Sequence, residues 1–281
     1  MYKIIKKLII FMAVVLILGN IPGIDASAKA NKFTHSYGVF LSVNNGKKDM
    51  KKFKDYKTII LDVQNGFTYK DIKKLKKQGH KVYSYINVGA IENYRDYYNR
   101  FSDIMLDTYE NWPDEKWVDV SSSKWQEFIV NELGKKISDT GVDGFFVDNT
   151  DVYYKYQSEE KYLGLTTILK GLKSRGKVII NGGDTYVTEY YNRNGNLNEV
   201  LDAVNQESVF SRIIDYDNDK FGENRKSERK FFQKYLKLVK SAGKKCYLLE
   251  YTKDKKLAEK IRKYCKKKKY NYYISGKLDL S

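Results

Sequence analysis

Short apolar segments alternate with stretches of helical periodicity over about 250 residues, and that alternation predicts an α/β fold, specifically a TIM (β/α)8 barrel. Two further observations favour a closed barrel over an open doubly wound sheet. Eight such segments can be counted, and the length is the usual one for a single barrel domain. The run that carries the reading is Gly144-Phe145-Phe146-Val147, which breaks into Asp148-Asn149-Thr150-Asp151. A continuous apolar run of this length reads as a strand covered on both faces, as in a parallel sheet.

The chain begins with Lys3, Lys6 and Lys7 ahead of an apolar run from Leu8 to Leu18, too short to span a bilayer comfortably. Ala26, Ala28 and Ala30 offer two A-x-A cleavage registers. Residues 1–28 therefore read as a signal peptide and 29–281 as one barrel domain. The expectation is a secreted protein, extracellular or associated with the cell envelope, without a stable membrane span after cleavage.

The expected strands are Tyr37 to Ser42, Thr58 to Val63, Lys81 to Asn87, Val142 to Asp148, Lys177 to Asn181, Leu201 to Gln206, Lys245 to Glu250 and Asn271 to Ser275. Between the second and third, Thr68 and Asp71 form a capping-box pattern, Leu75 marks the apolar face, and Gly79 ends the helix. A longer helix is expected from Ser123 to Asp139. Ser123 with Gln126 would cap it, and Trp125, Phe128, Ile129, Leu133 and Ile137 form one apolar stripe against the barrel. Later helices are expected from Glu159 to Lys173, Thr185 to Tyr191, Lys226 to Lys240 and Lys253 to Lys267.

Two connections are longer than a barrel needs. One carries Tyr94, Tyr97, Tyr98, Trp112 and Trp117, the other Asp215, Asp217 and Asp219. Long loops at a barrel mouth carry specificity, and their aromatics suit either packing or stacking on sugar rings.

The formal charge of +17 falls to +15 when Lys3, Lys6, Lys7 and Asp25 leave with the leader. The Lys residues are spread over what read as outer helix faces, which suits a solvated surface or electrostatic association with an anionic envelope. Cys246 and Cys265 are the only cysteines, match no metal or redox spacing, and in an exported protein can either pair or remain free.

Strand ends placed in this way bring Ser42, Asp62, Asn87, Asp148, Asn181, Glu207 and Glu250 to the mouth. This ring is acidic inside a basic protein, so a nucleic-acid partner, which would need a basic rather than an acidic mouth, is not expected. Buried carboxyls with few cations among them must be hydrogen-bonded by neutral groups or used in chemistry. Two carboxyls with separated pKa values are what glycosidic cleavage requires, and Asp148 with Glu207 can reach one substrate from the fourth and sixth strands. Histidine is confined to His35 and His80, and His80 lies at the amino end of its strand, which leaves a Ser-His-Asp triad or a zinc site poorly supplied. Asp148, Asn149 and Asp151 lack the Gly and closing Glu of an EF-hand, and Gly182-Gly183 lacks the rest of a phosphate loop. No metal and no cofactor is expected.

Tyr85-Ile86-Asn87-Val88-Gly89 with Glu92 and Arg95, then Gly141-Val142-Asp143-Gly144 leading to Asp148-Asn149 and Asp151, resemble glycoside hydrolase family 114. Asn181-Gly182-Gly183, Val204-Asn205-Gln206-Glu207-Ser208 and Glu250-Tyr251 follow in the family's order. The resemblance implies a TIM barrel that cleaves α-1,4-linked galactosaminogalactan or polygalactosamine internally, with Asp148 and Glu207 as its catalytic acids. The expected sugar contacts are Tyr37, Asp62, Asn87, Asp151, Asn181, Glu250 and Tyr251. The competing expectation is a non-catalytic glycan-binding barrel at the cell envelope.

Overall fold

Eight strands rich in Val, Ile and aromatic residues form where the sequence places them, within two residues at each end. They are β1 (His35–Phe40), β2 (Tyr56–Leu61), β3 (Lys81–Asn87), β4 (Gly144–Asp148), β5 (Lys177–Asn181), β6 (Ala203–Glu207), β7 (Lys245–Tyr251) and β8 (Asn271–Ser275). The structure, a computed structural model, describes residues 33–110 and 112–281. The signal-peptide reading of residues 1–28 lies outside the described residues. Among those described, no helix is long and apolar enough to cross a membrane.

All neighbouring strands pair in parallel in the order β1 to β8. The seam between β8 and β1 is filled by rings, with Tyr273 lying 5.6 Å from Phe40 and 5.9 Å from Tyr56 between centroids. Alternate residues along each strand face opposite sides. Tyr37, Ile60, Tyr85, Phe146, Ile179 and Leu249 fill the interior, while Ile59, Leu61, Ile86, Val147, Ile180 and Leu248 pack outward against the helices. Burying each such aliphatic side chain stabilises the fold by about 1.5–3 kcal/mol. Because both faces are covered, the strands read as apolar runs rather than alternating ones.

Helix ends follow local chemistry. Thr68 and Asp71 form a capping box at the start of Tyr69–Lys77. The expected box at Ser123 does not form, since Ser122 occupies the N-cap and Gln126 falls one position beyond N3. Gln126 instead donates to the carbonyls of Val120 and Ser121. The segment from Ser123 to Asp139 is helical throughout but widens to a π-turn over Phe128–Leu133. Cys246 and Cys265 are both free and buried, and Cys246 Sγ donates to the Leu236 carbonyl at 3.5 Å.

Two excursions rise from the carboxyl ends of the barrel strands. Between β3 and β4, the strands Ala90–Glu92, Met105–Tyr109 and Trp112–Val118 form a small antiparallel sheet. Between β6 and β7, Ser211–Asp215 and Lys220–Glu223 form a hairpin. The ring of Trp112 meets that of Tyr216 edge to face at 5.8 Å, so the two excursions touch.

Candidate active site

The carboxyl ends of β4, β5 and β6 deliver Asp148, Asn181 and Glu207 side by side. Each is the last inward-facing residue of its strand, and each is followed by a left-handed residue: Asn149 at φ 60°, Gly182 at φ 64° and Ser208 at φ 54°. This turn ends the strand at once, leaving the last side chain at the rim instead of burying it under another residue. For Asn149 and Ser208 the conformation costs about 1–2 kcal/mol against an ordinary backbone. Close packing holds the first turn in place: a Cβ on Gly89 would sit 1.8 Å from the Asn149 carbonyl oxygen.

Asn181 Nδ2 donates to Asp148 Oδ1 at 3.0 Å and to Glu207 Oε1 at 2.8 Å. Two oxygens so placed on one nitrogen lie no more than 5.8 Å apart. The orientation of this amide is set from below. Tyr37 donates to Asn205 Oδ1 at 3.0 Å, and Asn205 Nδ2 donates to Asn181 Oδ1 at 2.7 Å, so Asn181 can present only its NH2 upward. Tyr251 donates to Glu207 Oε2 at 2.9 Å. Burial, and then Asp148, push Glu207 up to about 7. Burial also raises Asp148, opposed by the hydrogen bond from Asn181.

These residues line a cleft of about 850 Å³ together with residues of the antiparallel sheet, of the hairpin and of the C-terminal segment Leu278, Asp279 and Leu280. Asp151 lines it near Gly182, and burial followed by Asp184 and Asp148 pushes its carboxyl up to about 7. Asp62 lines it as well, but its carboxylate is paired with Arg95 at 2.9 Å. Arg95 is also paired with Glu92 at 3.2 Å, and both ion pairs are buried. Removing one member of such a pair leaves an uncompensated charge.

Three of the expected sugar contacts lie elsewhere. Tyr37 is wholly buried one layer down, where it reaches the floor only through Asn205. Asn87 is buried behind the wall, donating to Glu115 Oε2 at 3.2 Å and accepting from Ala90 N and Asn149 Nδ2. Glu250 sits on the outward face of β7, in register with Cys246 and Leu248. There it accepts from Phe210 N, Ser211 N and Ser211 Oγ, the shortest of these bonds at 2.7 Å. The physical reason is strand parity: Tyr251, one residue later, is the one that faces inward.

Sequence reasoning missed Glu115, Tyr109, Ile213 and Tyr216, all of which line the cleft. They come from the excursions, whose strand pairing brings together residues far apart in the chain. Among the aromatics named from the long loop, Tyr94 and Trp112 line the cleft and are exposed, whereas Tyr97 and Trp117 are core residues.

A cleft with several carboxyls at the carboxyl end of a (β/α)8 barrel is the arrangement that a hydrolase of glycosidic bonds requires, and this is the class of protein to which the family match assigns the chain. The chain belongs to glycoside-hydrolase family GH114, whose sequence profile matches residues 25–277. The glycoside hydrolase domain of PelA from Pseudomonas aeruginosa has a similar structure at TM-score 0.69 and 17% identity, covering 87% of this chain and 95% of that one. Aspergillus fumigatus Ega3, solved in complex with galactosamine, superposes at TM-score 0.65 and 15% identity, over 89% of this chain and 93% of its own. A maltogenic alpha-amylase, AmyB from Thermotoga neapolitana, is similar at TM-score 0.54 and 13% identity, over 90% of this chain and 69% of that one. No curated protein sequence matches the chain.

Proposed function

We propose that this enzyme cleaves a galactosamine-containing extracellular or envelope polysaccharide, in the manner of an endo-α-1,4-polygalactosaminidase, with Asp148 as nucleophile or base and Glu207 as acid. The observation that carries the pair is the Asn181 amide shared between their carboxyls. An oxygen separation of at most 5.8 Å favours the retaining arrangement, at about 5–5.5 Å, over the inverting one at about 6.5–9.5 Å. In that course the Asp148 carboxylate bonds to the anomeric carbon while Glu207 gives its proton to the departing glycosidic oxygen. Glu207 then takes a proton from water, whose oxygen displaces Asp148 and releases the sugar with its configuration retained. No cofactor is needed.

Charge supports an amino sugar. Arg95 is the cleft's one Lys or Arg among the described lining residues, and Asp62 and Glu92 already occupy it. Glu115, Asp148, Asp151 and Glu207 have no ion-pair partner among the described residues, so a cationic sugar meets local attraction even in a protein of net charge +17. The galactosamine bound to Ega3 fits the same chemistry. Export follows from the leader-like residues 1–28, and the Lys-rich face of the helix Lys255–Lys268 would hold the enzyme to an anionic envelope.

The test is release of reducing ends from partly deacetylated galactosaminogalactan and from envelope polysaccharides, with anomeric configuration followed by NMR. A folded wild type that releases none from any of these polymers would overturn the reading. Products that first appear inverted would overturn the nucleophile assignment alone.

A further inference from the structure

Glu115, like Asp62, Asp151 and Asp279, is a cleft carboxyl that the proposed reaction does not use. It lies on the strand Trp112–Val118 directly opposite Glu92 in the antiparallel ladder, a like-charge cross-strand pairing that ordinarily destabilises. The two acids are treated unequally. Glu92 is neutralised by Arg95 and accepts from Tyr85 Oη at 3.2 Å. Among the described residues Glu115 is given no cation, and the two amides that reach it, Asn87 Nδ2 at 3.2 Å and Asn149 Nδ2 at 3.3 Å, bond to the same oxygen, Oε2. Among the described residues Oε1 has no hydrogen-bond partner, and Glu115 lines the cleft.

Asn87 and Asn149 make this placement rigid. Asn87 Oδ1 accepts from both Ala90 N and Asn149 Nδ2, so the two side chains fix each other. Asn149 directly follows Asp148, which ties the position of Glu115 to that of the reacting group. Burial, followed by Glu92 and Asp148, pushes the Glu115 carboxyl up to about 8, the expected state of an acid held without its counter-charge.

We propose that Glu115 is the specificity-determining residue that reads a free amino group on the sugar bound beside Asp148, its Oε1 accepting from the ammonium. This rests on the galactosamine reading above. An ammonium supplies the cation that the wall withholds, and on binding it a protonated Glu115 gives its proton to solvent, leaving a carboxylate–ammonium pair. An acetamido group carries no charge and cannot replace it, so the residue selects deacetylated stretches of polymer. Charge-assisted hydrogen bonds of this kind are the strong ones.

The test compares wild type, Glu115→Gln, Glu115→Asp and Asp151→Asn on two galactosamine oligomers of equal length, one fully deacetylated and one fully N-acetylated. The readouts are kcat and KM separately, together with thermal unfolding. Glu115→Gln keeps the size and Oε2-side acceptor but removes the charge. It is expected to raise KM for the deacetylated oligomer about tenfold or more while leaving the acetylated one unchanged, and Glu115→Asp is expected to recover part of the preference. An equal loss on both oligomers would mean a structural role and overturn the proposal. An undiminished preference in Glu115→Gln that disappears in Asp151→Asn would overturn it by assigning the reading to Asp151. A wild type inactive on both oligomers, and on the polymers above, would overturn the galactosamine reading itself and this assignment with it.

Discussion

Glu207 and Glu250 lie at the carboxyl ends of adjacent strands and are both pushed up to about 7, first by burial. Yet they live in different regions. Glu207 opens on the cleft, with Asp148 as its next influence and, among the described residues, only Asn181 and Tyr251 donating to it. Glu250 lies between the sheet and the helices, where backbone amides and a hydroxyl saturate its oxygens and hold the chain that leaves β6. A perturbed carboxyl is thus no sign of chemistry by itself. What separates the two is the side of the sheet they face, and whether oxygens remain free for a substrate.

The largest effects would come from the cleft. Asp148→Asn and Glu207→Gln are expected to lower kcat by about 10³-fold or more without lowering the unfolding midpoint, because removing charge from a crowded acidic floor relieves repulsion. Reducing-end assays with matched thermal melts check this. A variant that loses activity only in proportion to its folded fraction would erase the contrast with Glu250.

Glu250→Ala should do the reverse. It leaves the amides of Phe210 and Ser211 and the Ser211 hydroxyl without their acceptor, at a cost of about 3 kcal/mol or more in urea unfolding, since each orphaned buried donor costs about 1–3 kcal/mol. The enzyme that remains folded should keep its activity.

The pH dependence sharpens the comparison further. A carboxyl whose folded pKa is raised favours the fold in its neutral form. That contribution is full below the ordinary value of 4.5 and is lost as pH rises to about 7. Wild-type stability should therefore fall across this window through both groups. Glu250→Gln and Glu207→Gln should each flatten the slope, but only the latter should remove the corresponding limb of the pH–rate profile. Equal effects of the two on the rate profile would defeat the distinction.

The smallest effect is expected at Ser208. Its backbone is left-handed and its buried hydroxyl has no partner among the described residues. Ser208→Gly removes both costs against the extra freedom of an unfolded glycine, for a net gain of about 0.5 kcal/mol with activity kept. A measurable loss of stability would show that the turn after Glu207 is not strained.

The amino-acid sequence by itself determined the eight strands, because parallel strands covered on both faces must be apolar runs, and it placed Asp148, Asn181 and Glu207 at three successive strand ends. It also determined the Thr68 cap, a purely local pattern. Only the tertiary structure decided which face each strand-end residue takes, since a shift of one residue exchanges inside for outside: it set Glu207 in the cleft and Glu250 behind it, and sank Tyr37 below the floor. It alone set Glu115 opposite Glu92 and beside Asn149, because pairing within the excursion and its docking on β4 join segments that no local pattern connects.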